Sequence, residues 1–145
     1  MAMAQPQTQP VHDVMTLGLT MLPTHASVLD AARAMRDANI GDVLIVENGN
    51  LCGIVTDRDL VIRVLAAGQE PSSTTLANIY SHELTTVSPT DSVDHAIQLM
   101  RQKALRRLPV VDDGRPVGIV SLGDLAQNRD PQSALGEISA APPNR

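Results

Sequence analysis

The chain has 145 residues, enough for one domain with a sizeable core. Hydrophobic residues make up 43%, yet there is one Tyr and no Phe or Trp, so the core must be aliphatic and base stacking on aromatic rings is excluded. A net charge of -5 without a basic run excludes a surface built to hold nucleic-acid phosphates.

Residues 1–10 are polar and Gln/Pro-rich, unlike a signal peptide, and are expected to be disordered. A short strand is predicted at Leu19 to Leu22, followed by a turn at Pro23-Thr24. Ser27 fits a helix N-cap, and Ser27-Val28-Leu29-Asp30 resembles a capping box with Asp in place of Glu. The helix is predicted to run to about Ala38, with Val28, Ala31, Ala32 and Met35 on its buried face. Two apolar strands, Val43 to Val46 and Leu51 to Val55, flank Asn48-Gly49-Asn50, a tight hairpin turn. Cys52 lies in the second strand and reads as a buried structural thiol; as the only cysteine it allows no internal disulfide. A second helix is predicted from Asp57 to about Ala66, then a linker from Gly68 to Thr75.

The same order then recurs. It comprises a strand at Leu84 to Val87, a turn at Pro89-Thr90, an N-cap at Ser92 and a helix to about Lys103 carrying Val93, Ala96, Ile97 and Met100. Strands at Leu108 to Val111 and Val117 to Val120 surround Asp113-Gly114, and a helix follows from Leu122 to about Gln127. At a constant offset of 65, 14 of the 48 positions from Asp13 to Leu60 are identical, without a gap. A duplication is the reading that fits. The fold class is therefore α+β: two tandem β-α-β-β-α repeats, residues 11–67 and 76–127, joined by 68–75. Each is too small to bury its sheet alone, so the two are expected to pack sheet to sheet. The tail, 128–145, is expected to be flexible, with a helical turn near Ala134 to Ile138.

Each hairpin ends in a hydroxyl followed three residues later by an acid: Thr56-Asp57-Arg58-Asp59 and Ser121-Leu122-Gly123-Asp124. At a strand-to-helix junction this is a capping box, which needs no ligand to explain it. The same geometry also offers free N–H groups and positive partial charge to a phosphate, and a carboxylate to a ribose diol. Both readings stand on the residues alone. His12, His25, His82 and His95 are scattered and have no Cys partner, so no metal site is expected.

Gly53-Ile-Val-Thr-Asp-Arg-Asp-Leu60, Leu108-Pro-Val-Val-Asp112, Gly118-Ile-Val-Ser-Leu-Gly-Asp-Leu125 and the opening Asp13-Val14-Met15-Thr16 resemble the CBS domain, the regulatory repeat named after cystathionine beta-synthase. The resemblance covers residues 11 to 127. It implies a paired module with pseudo-two-fold symmetry and two clefts for adenosine-containing ligands such as AMP, ADP, ATP or S-adenosylmethionine, with no required cofactor. It assigns the ribose to Asp59 and Asp124, and a hydroxyl near ribose or phosphate to Thr56 and Ser121. Adenine would be enclosed around Thr20, Leu22 and Ile54 in copy one and Thr85, Val87 and Ile119 in copy two. Arg106-Arg107 precede Leu108-Pro-Val where the family often places phosphate-reaching side chains, and guanidinium suits phosphate. Copy one has Gly41-Asp42 there, which Arg58 offsets only in part, so the two sites are expected to be unlike.

Three functions follow as expectations. The first is a nucleotide sensor that signals by conformational shift to a separate protein effector, as a homodimer, in the cytoplasm. The second is a ligand-free dimerisation scaffold, in which the pocket motifs are helix caps only. An enzyme is disfavoured: no nucleophile elbow, P-loop or metal cluster is present, and Asp59 and Asp124 look like duplicated binding groups. No membrane stretch of about 18 apolar residues exists.

Overall fold

The computed structural model describes residues 9–80 and 84–129. The N-terminal residues 1–8, His82 and the tail from residue 130, with its expected helical turn, lie outside the described residues. The elements alternate as expected for a mixed α+β chain. They are β1 (Met21–Leu22), α1 (Val28–Ala38), β2 (Asp42–Glu47), β3 (Asn50–Thr56), α2 (Asp57–Leu60), α3 (Val93–Lys103), β4 (Arg107–Asp112), β5 (Arg115–Ser121) and α4 (Leu122–Arg129). A π-helical turn, Val61–Leu65, continues α2, and single 3-10 turns occur at Val11–Asp13 and Leu76–Asn78.

The chain divides into two compact units. The first, residues 19–84, holds the three-stranded sheet β1-β2-β3; the second joins the segment before residue 19 to residues 85 onward and holds the hairpin β4-β5. Each unit has its own buried aliphatic cluster. Val28, Ala31, Met35, Val43, Ile45 and Val55 lie in one, and Val93, Ala96, Met100, Leu108, Val110 and Val120 in the other. The two methionines are thus core residues, as their helical spacing predicts.

Local signals explain the element ends. Ser27 accepts from the Asp30 amide and Asp30 answers to the Ser27 amide, a complete capping box. Ser92 caps α3 by accepting from the His95 amide. Both hairpins turn through positive φ, at Asn48 (54°) and Gly49 (83°) and at Asp113 (53°) and Gly114 (81°), the type I′ pattern that matches strand twist. Thr24 donates to Glu47 at 2.7 Å, and this bond holds the Glu47 carboxyl below its usual pKa. Cys52 is half-buried rather than buried, packing on the first cluster while its thiol faces the Asn50 carbonyl at 3.7 Å.

Two predicted strands are shorter than expected. In copy one only Met21–Leu22 pairs, parallel to β2, with the Thr20 carbonyl accepting from the Leu44 amide at 2.9 Å. In copy two the region Leu84 to Val87 forms a single bridge, Val87 to Val110. The reason is Pro109, which stands where copy one has Leu44 and has no N–H to give Thr85. The proline of the Leu-Pro-Val pattern therefore has a structural consequence: it removes one rung of the ladder.

The segment that leads into each repeat packs with the other repeat's elements. Gln9 to Met15 belongs to the second unit: the Val11 amide donates to Asp91 O, the His12 amide to Pro89 O and the Val93 amide to Gln9 O, at 2.7, 3.1 and 2.8 Å. The counterpart, Thr74 to Ala77, makes the same three bonds in the first unit, Leu76 to Ala26, Ala77 to Thr24 and Val28 to Thr74, at 2.9, 3.0 and 2.8 Å. Val11 and Leu76, 65 positions apart, are both 0% exposed. Met15 lies over Gly118, where a Cβ would meet its Sδ at 2.5 Å and its Cγ at 2.8 Å. Gly118→Ala is accordingly expected to lower the stability of the second unit by about 1–3 kcal/mol, read as a lower urea midpoint. Met15→Ala in the same chain should recover part of that loss. An unchanged midpoint in Gly118→Ala would show that Met15 yields freely.

Candidate functional site at the hairpin-to-helix junctions

Each hairpin delivers its second strand into a helix. The Asp57 amide donates to Gly41 O at 3.0 Å, and the Leu122 amide to Arg106 O at 2.8 Å. Gly41 and Arg106 therefore occupy equivalent places, and so do Asp42 and Arg107, which pair across the hairpin with Thr56 and Ser121. The charge difference between the copies, one acid in the first and two guanidinium groups in the second, falls at two adjacent, structurally equivalent positions.

The capping boxes form in both copies. Thr56 N donates to Asp59 Oδ2 at 2.9 Å, and Asp59 N to Thr56 Oγ1 at 3.2 Å. Ser121 N donates to Asp124 Oδ2, and Asp124 N to Ser121 Oγ, both at 3.0 Å. Helix capping is thus served at each junction, yet the polar capacity left over differs. In copy one the Thr56 hydroxyl also donates to Asp59 Oδ2 at 3.1 Å, and Arg63 Nε stands 3.8 Å from Asp59 Oδ1. In copy two the Ser121 hydroxyl accepts from Asp124 N and, among the described residues, donates to no acceptor, which leaves its proton for an incoming oxygen. Thr16 Oγ1 reaches Asp124 Oδ2 at 3.4 Å, and among the described residues no donor reaches Asp124 Oδ1.

An open cavity of about 480 Å³ lies at the head of α4, lined by Arg106, Arg107, Ser121, Leu122 and Gly123. Its size is in the range of small-ligand sites. It brings together three residues singled out from sequence, Arg106, Arg107 and Ser121. Leu122 and Gly123 were not singled out; the signal for Gly123 was its place opposite Arg58 in the repeat alignment, a residue without a side chain where copy one has a long one. Asp124, bonded to Ser121, is not among the described residues that line it.

The residues expected around adenine fall into two groups. Thr20, Ile54 and Thr85 are partly exposed. Leu22 packs against the first cluster, and Val87 (2% exposed) and Ile119 (8%) are buried. Ile119 is bonded in both directions to Thr16, at 2.7 and 3.0 Å. Arg58 is exposed, with its amide donating to Asp57 Oδ1. Among the described residues, no group of three His, Cys, Asp or Glu could hold a metal ion, and no helix is long and apolar enough to cross a membrane.

Comparison with known proteins gives the duplication a family. The CBS domain model matches residues 11–66 and again 76–129. The CBS domain-containing protein YhcV of Bacillus subtilis is 39% identical over 126 residues, covering 87% of this chain and 89% of that protein. The crystal structure of Hypoxic Response Protein I with two coordinated zinc ions superposes with a TM-score of 0.76 at 33% identity, over 82% of this chain and 98% of that one. The CBS domain pair of protein MJ0100, solved in complex with 5′-methylthioadenosine and S-adenosyl-L-methionine, superposes with a TM-score of 0.75 at 29% identity, over 83% and 94%.

Proposed function

This chain belongs to the CBS-domain family as a tandem pair of CBS repeats, and from that membership we propose that it is a regulatory module that binds an adenosine-containing ligand and signals to a separate protein. The observation that carries the proposal is the cavity at the head of α4, where Arg106 and Arg107 meet the Ser121 hydroxyl beside Asp124. Two guanidinium groups and the amides of a helix start suit a phosphate, and a carboxylate one turn on suits a ribose diol. The MJ0100 pair, whose ligands share an adenosine group, supports that ligand class. The second repeat is the stronger site, because its hydroxyl proton and its Asp124 Oδ1 are uncommitted while those of copy one are engaged. Ligand binding would act by favouring one arrangement of the repeats, to be read by a partner. The module works without catalysis, in the cytoplasm.

Titration calorimetry with AMP, ADP, ATP and S-adenosylmethionine tests this reading. Saturable binding of at least one is expected, with one dominant site per chain. No heat at millimolar concentrations of all four would leave the second reading, a ligand-free scaffold. That reading is favoured by the capping boxes, which account for Asp59 and Asp124 as helix caps, and by Val61, Ile62 and Leu65, which stand 54%, 47% and 73% exposed on one helical turn. Under either reading this apolar turn is the face proposed to join two copies into a dimer.

A further inference from the structure

The two repeats differ in the helix after the hairpin. Copy two continues as α-helix through Leu122–Arg129, whereas copy one has only Asp57–Leu60 before widening to π geometry over Val61–Leu65. Such widenings are rare and gather at functional positions. Arg63 sits in the middle of this one, and Asn128 takes its place in copy two. The Arg63 guanidinium donates from Nη1 to the Ile79 carbonyl at 2.8 Å, while its Nε faces Asp59 Oδ1 at 3.8 Å. One side chain thus touches the candidate ribose carboxylate of the first repeat and the Leu76–Tyr80 segment with which the second repeat opens. Arg63 also borders a cavity of about 420 Å³ with Gly68, Asn78 and Ile79, so it has room to move.

We infer that Arg63 is a positioning residue that couples the state of Asp59 to the Leu76–Tyr80 segment that opens the second repeat. A planar guanidinium holds its N–H donors in a fixed fork, so it can serve both acceptors at once. When Asp59 is engaged by a diol, its Oδ1 must be shared, and Arg63 is left to the Ile79 carbonyl alone. The coupling itself exists without ligand; only its use as a signal rests on the nucleotide reading above.

Amide hydrogen exchange of the full chain, read at residues 76–80 with α1 amides as reference, tests both parts. Arg63→Met removes a charge-assisted bond and is expected to speed exchange there by about tenfold. Asp59→Asn keeps a cap acceptor and removes the charge; it is expected to speed exchange by about twofold, the scale of a weak i,i+4 pair. In the double variant the Asp59→Asn effect should vanish, and Arg63→Gln, which keeps a donor for Ile79 but no charge, should reproduce Asp59→Asn. AMP at concentrations high enough to fill the weaker first-repeat site should alter exchange at 76–80 in the natural sequence and not in Arg63→Met. If Asp59→Asn leaves 76–80 unchanged while Arg63→Met speeds it, Arg63 merely caps a carbonyl and the inference is overturned. If AMP fails to bind by calorimetry, the nucleotide reading fails, and the ligand-free arms still decide the coupling.

Discussion

A chain lacking residues 1–16 is expected to lose the folded state of its second unit, although every deleted residue precedes the first repeat's α1. Val11 is wholly buried among Val93, Ala96, Leu108 and Val120, and Val14 and Met15 pack on the same cluster. Burying one such side chain is worth about 1.5–3 kcal/mol. The deletion also removes the bonds of Val93 to Gln9, Val11 to Asp91, His12 to Pro89 and the pair between Thr16 and Ile119. Each contributes roughly 0.5–1.5 kcal/mol, and those whose partners stay buried cost more when broken. The total is of the order of a small domain's whole stability, about 5–15 kcal/mol. The expected result is fast amide exchange throughout α3, β4 and β5, against slow exchange in the full chain. The milder Val11→Asp should act in the same direction by placing an unpaired charge in the cluster. Leu76→Ala should cost about 2–5 kcal/mol in the first unit instead. A truncated chain whose α3 and β5 amides stay protected would refute this account of the lead-in segments.

That exchange of segments marks where sequence reasoning stopped. Features decided by neighbours in the chain were legible. The starts of α1 and α3 follow from Ser27 and Ser92, and the hairpin turns follow from Asn48-Gly49 and Asp113-Gly114. The partner of a short apolar segment is decided by distant residues. Val11 and Leu76 show the same local pattern whichever cluster they join. The π turn at Val61–Leu65 is hidden for a related reason, since apolar spacing over five residues does not separate it from α-helix. The missing strand near Val87 lies between these cases: Pro109 was visible, but that its absent N–H faced Thr85 required the register.

The site divides in the same way. The alignment of Gly41-Asp42 with Arg106-Arg107 was legible, because charge at one repeat position is a property of sequence. What a hydroxyl does with its proton depends on its rotamer. Only the structure separates Thr56, which donates its proton to Asp59, from Ser121, whose proton has no acceptor among the described residues. Geometry thus strengthens an asymmetry that charge alone suggested, and it does so with residues that are chemically alike in the two copies.

Asp124→Asn is therefore expected to weaken adenine nucleotide binding far more than Asp59→Asn. Asn keeps one oxygen for the Ser121 amide, so the cap at α4 survives, but it cannot accept both hydrogens of a diol. Loss of a charged acceptor corresponds to roughly 10- to 100-fold in affinity. The same change at Asp59 should cost less than about threefold, because its carboxylate is shared with Thr56 and Arg63 and no guanidinium stands at Asp42 to hold a phosphate. Arg106→Ala and Arg107→Ala should separate phosphate from nucleoside: their losses should grow from adenosine through AMP to ATP and shrink as salt is added. Calorimetry of the four variants at two ionic strengths measures all of this. Equal losses from Asp59→Asn and Asp124→Asn would mean two equivalent sites, and an Arg106→Ala loss as large for adenosine as for ATP would mean that the arginines shape the cavity rather than bind phosphate.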